Sequence, residues 1–223
     1  MKSRRLRRAT WWSAAILALS SVVYPLAVRP WHQRWGATQE EVARRMAGDD
    51  DVKRPIEVTT RAVTVAARPE HIWPWLMQLG NRRGGLYSYD WIDLIIGPLQ
   101  SASVDHVLPQ FQDLRVGDVV PYADGTSMRV EALERHRTLL LVYRGAGVVV
   151  TQSWGVYPLD GQRSRLVLRV RAQVPVTWRW LPALLLLDPA EFVMVRKQLL
   201  GIKWRAERLA ASQRAYHRKE RYP

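Results

Sequence analysis

The sequence predicts an α+β protein in which one soluble domain follows a single N-terminal transmembrane helix. Three observations predict this class: an uncharged apolar run near the N-terminus, five strand-like segments separated by short turns, and an amphipathic helical stripe near the C-terminus. Five consecutive strands joined by short turns form an antiparallel meander. We therefore expect an antiparallel sheet packed against a long C-terminal helix.

The anchor is predicted over Ala9–Val28, which contains no charged residue. About 20 apolar residues, each rising about 1.5 Å, cross a hydrocarbon core of about 30 Å. Trp11 and Trp12 lie at one end and Trp31 and Trp35 just beyond the other, as expected for interfacial indoles. Basic residues are more numerous before the run than after it, which predicts a cytoplasmic N-terminus and an extracytoplasmic domain. The alternative, a cleaved signal peptide, lacks an A-x-A site after the run.

Composition restricts the function further. The chain of 223 residues has no cysteine, which excludes a disulfide framework, a thiolate metal site and a cysteine nucleophile. Most of the net charge of +14 lies in residues 1–8 and after residue 194. A nucleic-acid-binding protein usually has a basic face across its folded domain, so we expect no specific nucleic-acid partner. Basic ends suit anionic lipid, or are solvated tails without a specific partner.

The segment after the anchor contains a short predicted helix. Thr38 and Glu41 form a capping-box pattern, which starts a helix over Gln39–Ala47 that stops at Gly48. The aspartates at 49–51 are expected to be solvated, because adjacent carboxylates do not converge on one cation without a loop. The predicted divisions are a basic segment 1–8, the anchor 9–28, a juxtamembrane linker 29–56, the domain 57–212 and a basic tail 213–223.

The domain begins with a strand and two short helices. Residues 57–66 are rich in valine and threonine and predict a strand. Pro69 starts a helix to Leu79 that is short or bent at Pro74, since an interior proline removes one backbone hydrogen bond. A second helix is expected from about residue 88 to 96.

The strands of the meander are followed by the long helix. Leu166, Leu168, Val170 and Ala172 alternate with arginines, which predicts a strand with one face buried and one in water. Residues 178–187 are apolar but too few to span a bilayer, so they would cap a cavity or touch the membrane. The strands are predicted at 119–122, 128–134, 139–144, 148–158 and 165–174. The helical stripe of about five turns comprises Phe192, Val195, Leu199, Ile202, Ala206 and Leu209.

This order of elements, over about residues 29–210, resembles the helix-grip fold of the START, birch-pollen-allergen and polyketide-cyclase superfamily (SRPBCC). Several short sequences are similar to those of a bacterial membrane-anchored subgroup of this superfamily. They are residues 29–38, 61–65, 69–76, 84–91, 114–118 and 201–203. The resemblance implies a curved antiparallel sheet wrapped around the long C-terminal helix, with an apolar cavity between them. Members bind lipids, sterols, ubiquinone or aromatic polyketides, and some catalyse cyclisation or dehydration.

Aromatic residues are the first candidates for the cavity wall. The chain has eleven Trp and eight Tyr but two Phe. Flat rings with a polar tip suit a cavity for an apolar ligand, although they would equally fill a core that phenylalanine fills elsewhere. Arg82 and Arg83, before two glycines, would hold an anionic head group. The aromatic candidates are Trp73, Trp75, Tyr87, Tyr89, Trp91, Tyr122, Tyr143 and Trp154.

Three side chains are candidate acids or bases. Glu191 is either a buried general acid or a first-turn carboxylate that compensates the helix dipole. Asp90 either contacts a ligand hydroxyl or caps the second helix. His106 is the third candidate, and the scattered histidines show no metal-ligand spacing, so we expect neither metal nor cofactor.

These observations predict a single-pass cell-membrane protein that binds an apolar or lipid-like small molecule in an internal cavity. The alternative function is a polyketide cyclase/dehydratase-like enzyme that uses acid and base residues in the same cavity. A third is a scaffold whose basic tail binds lipid or nucleic acid. Ligand identity and oligomeric state do not follow from the sequence.

Overall fold

The computed structural model describes residues 23–96, 100, 102–123, 125–175 and 181–221. A π-helical turn (Tyr24–Val28) leads into the first α-helix, and a 3-10 turn (Pro109–Phe111) precedes the second strand. The helices are α1 (Arg29–Gln33), α2 (Gln39–Ala43), α3 (Pro69–Met77), α4 (Asp90–Ile96) and α5 (Leu181–Arg221). The strands are β1 (Glu57–Val65), β2 (Val119–Ala123), β3 (Thr126–Glu134), β4 (Thr138–Gly145), β5 (Val148–Pro158) and β6 (Ser164–Gln173).

The six strands form one antiparallel sheet in the order β1-β6-β5-β4-β3-β2. The last five strands are a meander, as predicted, and each lies within about two residues of its predicted bounds. The first strand pairs with the last, and Glu57 lies opposite Ala172. This pairing brings the start of the domain beside its end.

Helix α5 packs along one face of the sheet. Val195, Leu199, Ile202 and Ala206, from the predicted stripe, are buried in the main core. The sheet order and this helix position agree with the predicted helix-grip arrangement. The helix has 41 residues instead of about five turns, because the stripe marks only the part that faces the core. It begins inside the apolar segment 178–187 and continues into the predicted basic tail as far as Arg221.

The outer face of the sheet is covered by the segment that follows α1. The predicted capping box is confirmed, since Thr38 Oγ1 accepts from Glu41 N and the Glu41 carboxylate accepts from Thr38 N. Arg169, predicted to face water, is 4% exposed and donates to the carbonyls of Glu41 and Val42 and to Asp49. That prediction was wrong because the alternation of apolar residues and arginines in β6 shows that the strand has two different faces. It does not show that another segment covers the outer face.

The same contacts change the interpretation of the aspartate run. Asp49 Oδ2 lies 2.8 Å from the Arg169 guanidinium and accepts from Met46 N at 2.9 Å. Asp49 was predicted to be solvated; instead it neutralises a buried arginine. The segment around α2 is thus held to the sheet by charge as well as by the small apolar cluster of Met46, Ala62 and Val167.

Among residues 23–96, 100, 102–123, 125–175 and 181–221, no helix is both long and apolar enough to cross a membrane. Most of the predicted anchor, residues 9–22, lies outside this part of the chain. Its last residues, Val23–Val28, are described and are helical.

Candidate ligand site between the sheet and the long helix

The inner face of the sheet differs between its two ends. Near Val65, where β1 ends, the inward side chains are completely enclosed, and the rings of Trp73, Trp75 and Tyr87 pack among them. At this end, the region between the sheet and α5 is a close-packed core. Its inward sheet residues include Leu139, Trp154, Val156 and Leu166.

At the other end of the sheet, the residues of the same face are only half-buried. We call this region the open end and define it by the inward side chains around the start of β1. These inward side chains therefore keep solvent-accessible surface, unlike the enclosed side chains near Val65. The open end comprises Glu57, Tyr122, Tyr143, Val150, Val170 and Ala172.

A fully buried arginine lies at the inner limit of the open end. Arg61 is 0% exposed, donates from Nε to the carbonyl of His32 at 2.8 Å, and places Nη1 2.6 Å from Glu191 Oε2. A buried cation is retained only with such partners, because removing it from water is costly. Arg61 therefore fixes a charged boundary between the packed core and the open end.

Other buried polar atoms line the same boundary. Gln152 donates from Nε2 to the hydroxyl of Tyr122 at 3.0 Å. Its Oε1, together with Thr59 Oγ1 and Trp154 Nε1, has no hydrogen-bond partner among the residues that the structure describes. Buried polar atoms usually have partners. Of these three, Gln152 Oε1 and Thr59 Oγ1 lie on the inward face beside Val170 and are the candidates to contact a bound molecule, whereas Trp154 lies in the packed core.

The carboxylates of Glu57, Asp188 and Glu191 lie close enough to act on one another. Burial raises the pKa of Glu57 to about 7, helped by the charges of Glu191 and Asp188 and opposed by Arg29. Burial also raises the pKa of Glu191 above its usual value, while Arg61 opposes this shift. Like charges in a partly desolvated site favour the protonated form. Glu57 is therefore suited to both donating and accepting a proton near neutral pH.

The three predicted acid or base residues do not converge. Glu191 is the eleventh residue of α5, so its interpretation as a first-turn carboxylate was wrong; it pairs with Arg61. The Asp90 carboxylate accepts from the backbone and hydroxyl of Ser103 at 3.0 and 2.6 Å. His106 is exposed, and its carbonyl accepts from Gln78. Of these three, only Glu191 borders the open end.

The predicted aromatic and arginine residues lie in several places. Trp73, Trp75, Tyr87 and Trp154 are in the packed core, whereas Tyr122 and Tyr143 line the open end. Tyr89 lies against Lys197, and Trp91 is 64% exposed on α4. Arg82 donates a hydrogen bond from Nε to the side-chain oxygen of Gln100. Arg83 donates to the carbonyl of Met77, and its guanidinium lies over the ring of Phe111.

Sequence reasoning missed the residues that define the open end. Glu57, Thr59 and Arg61 share the face of Val63 and Val65 in β1. A charged residue in phase with buried valines signals a buried ion pair or a ligand contact. That signal was present, but the partner on α5 is 130 residues away and no local pattern connects them. No group of residues that could hold a metal ion occurs in the described ranges.

No family model matches the chain, and no curated protein matches it. Among solved structures it is similar to hypothetical protein jhp0584 of Helicobacter pylori, with 14% identity and a TM-score of 0.48 over 73% of this chain and 96% of that one. It is similar to the Zhui aromatase/cyclase of Streptomyces sp. R1128, with 17% identity and a TM-score of 0.38 over 68% and 94% of the two chains. It is also similar to truncated norcoclaurine synthase of Thalictrum flavum, with 13% identity and a TM-score of 0.39 over 66% of this chain and 91% of that one. These similarities are remote, and the fold described above depends on the sheet order and helix position alone.

Proposed function

We propose that this protein is a membrane-anchored binding protein for a largely apolar small molecule held in the open end. The observation that carries the proposal is the change along one sheet face from enclosed core to half-exposed apolar walls. Val150, Val170 and Ala172 supply those walls, and the ring of Tyr143 extends them. A concave, mostly apolar surface with a few polar groups is the usual form of a small-molecule site.

The polar groups at the inner boundary limit the chemistry of the ligand. Arg61 is paired with Glu191 and Arg29 with Asp188, so neither cation is free to neutralise an anionic ligand. Gln152 Oε1 accepts and the hydroxyl of Thr59 can donate. We therefore propose a ligand with an apolar body and a neutral polar end, such as a hydroxyl or carbonyl group.

The predicted anchor supports this proposal. A molecule of that kind dissolves in the bilayer rather than in water, so a tether keeps the site beside its source. We propose residues 9–28 as the tether, with the N-terminus cytoplasmic and the domain extracytoplasmic. Lipid or membrane-soluble molecules are the partners that this arrangement favours.

The experiment is native mass spectrometry of the full chain released from detergent, followed by extraction and identification of any retained molecule. Ala172→Phe places a ring in the open end and should abolish retention. Val58→Phe is the matched control, because Val58 lies at the same end on the outer face and is 39% exposed. Retention by Ala172→Phe equal to that of the wild type would reject the proposed site.

A second function, acid–base catalysis of the cyclase or dehydratase type, is favoured by the pKa of Glu57 alone. A carboxyl group with a pKa near the ambient pH is an efficient general acid or base. Incubation of the protein with its extracted ligand, followed by mass analysis, tests this function. Conversion that is lost in Glu57→Gln while retention persists would establish catalysis, and an unchanged ligand would exclude it.

A further inference from the structure

The chain entering the domain lies alongside the first half of α5. Tyr24 donates its hydroxyl to Asp188 Oδ2 at 3.2 Å, and Arg29 Nε donates to the same oxygen at 2.7 Å. Further along both segments, the rings of Trp31 and Phe192 lie 5.4 Å apart. Because the contacts advance in the same direction along both segments, the two run parallel.

Seven further residues of α5 precede Asp188. Leu181–Leu187 contains only leucine, alanine and one proline, and it is helical. At about 1.5 Å per residue, this stretch extends the helix by about 10 Å. Since the segments are parallel, it points the same way as the chain before Tyr24, where the predicted anchor lies.

The exposed residues beside this contact are apolar. Leu26 is 75% exposed, Trp31 59%, Val23 41% and Val28 40%. A soluble protein rarely exposes a contiguous group of apolar side chains to water, whereas a segment that enters a bilayer exposes them to lipid. Arg29, 37% exposed, is at the level expected for a cation near lipid head groups. The apolar exposure is thus continuous with the uncharged run that ends at Val28.

We infer that Leu181–Leu187 is a second membrane contact, which inserts the first two turns of α5 into the leaflet beside the anchor. The partner is the bilayer itself. A stretch of about 10 Å reaches into one leaflet but cannot cross a core of about 30 Å. The inference depends on the proposed anchor but not on a bound ligand.

This contact has a consequence for the open end. Asp188 is the residue at which α5 leaves the bilayer, and Glu191, three residues later on α5, pairs with Arg61 at the inner boundary of the open end. The open end therefore faces the head-group layer. A membrane-dissolved ligand reaches it without crossing bulk water.

The test uses single cysteines, because the natural chain has none. Leu184→Cys reports α5, Ala18→Cys reports the predicted anchor, and Ala211→Cys on the exposed part of α5 is the control. Each full-length variant is labelled with bimane and reconstituted into phosphatidylcholine–phosphatidylglycerol vesicles. Quenching is then measured with nitroxide-labelled lipid and with aqueous iodide.

We expect the labels at 184 and 18 both to be quenched by the lipid nitroxide, and the label at 211 by iodide alone. Lipid quenching at 18 with iodide quenching at 184 would overturn the second contact and leave the anchor intact. Iodide quenching at both positions would overturn the anchor as well. Circular dichroism of each variant confirms folding, and Leu186→Cys replaces Leu184→Cys if the latter misfolds.

Discussion

At the scale of single residues, Arg61 is the side chain on which the inner boundary of the open end depends. It is enclosed by β1 and α5 and has one carboxylate partner, Glu191. Breaking a buried pair on one side costs more than removing both charges, because the remaining ion stays desolvated. This asymmetry distinguishes a buried pair from the exposed ion pairs elsewhere on the surface.

Arg61→Met should lower the free energy of unfolding by about 3–5 kcal/mol, since it leaves the Glu191 carboxylate unpaired. The double variant Arg61→Met, Glu191→Met should recover most of that loss. Denaturant unfolding of the detergent-solubilised chain measures both. Arg163→Met, whose side chain is 59% exposed, is the control and should change little. A double variant as unstable as the single one would contradict the pairing.

Glu57 predicts a pH dependence of stability. Its pKa rises from 4.5 to about 7 on folding, so the folded state binds this proton more tightly than the unfolded state. The contribution of Glu57 to stability is therefore most favourable below about pH 4.5 and is lost as the pH rises to about 7. Glu57→Gln should be more stable than the wild type near pH 8, and the difference should vanish near pH 4. Thermal unfolding at several pH values measures this, with the exposed Glu70→Gln as control. An equal difference at both pH values would reject the raised pKa.

At the scale of elements, one close approach holds α5 against the turn before α4. A Cβ added at Gly201 would lie 2.2 Å from the carbonyl oxygen of Tyr87, which has a φ of +57°. The two backbones are in contact here, so the helix can lie this close only because Gly201 has no side chain. This contact gives a physical reason for the glycine of the 201–203 motif.

Gly201→Ala should destabilise the protein by about 1–3 kcal/mol through overpacking. In an exposed helix the same change stabilises by about 1 kcal/mol, so the sign of the effect tests the contact. Gly161→Ala, where an added Cβ meets nothing within 4 Å, is the control. Thermal unfolding of the two variants measures the difference. A rise in melting temperature for Gly201→Ala would show that the helix does not approach Tyr87 this closely.

Arg169 is one of several β6 arginines that bind the outer layer, beside Arg165, which pairs with Glu41, and Arg171, which donates to the carbonyl of Val52. Arg169→Met would remove a cation that pairs with Asp49 and the side-chain donor to the carbonyls of Glu41, Val42 and Arg44. We expect a loss of about 3–5 kcal/mol and rapid proteolysis within residues 36–52. Limited proteolysis with peptide mapping measures this, and the exposed Arg163→Met again serves as control. Protection equal to the wild type would mean that other contacts hold the segment.

The elements show where prediction from sequence succeeds. The capping box of Thr38 and Glu41 and the strands of the meander follow local rules of period and capping, and the structure confirms them. The burial of Arg169 and the pairing of Arg61 with Glu191 depend on segments more than 100 residues apart. Local periodicity carries no information about such contacts, so the outer layer and the open end appear only in three dimensions.

At the scale of the whole molecule, orientation across the membrane is the main remaining prediction. Ala211→Cys should react in intact cells with a maleimide that cannot cross membranes, because the domain is predicted to be extracytoplasmic. Ser3→Cys, in the basic N-terminal segment, should react only after lysis. The opposite labelling pattern would invert the topology while leaving the anchor in place.

The pairing of β1 with β6 also determines when the sheet can close. Glu57 meets Ala172 only after more than 100 further residues have been made, so this register is a long-range contact with a slow approach. During synthesis, the first strand stays unpaired until β6 has been made, and an unpaired strand edge can pair with a second nascent copy. Folding of the newly made chain should therefore depend on holdase chaperones that cover this edge until β6 is complete.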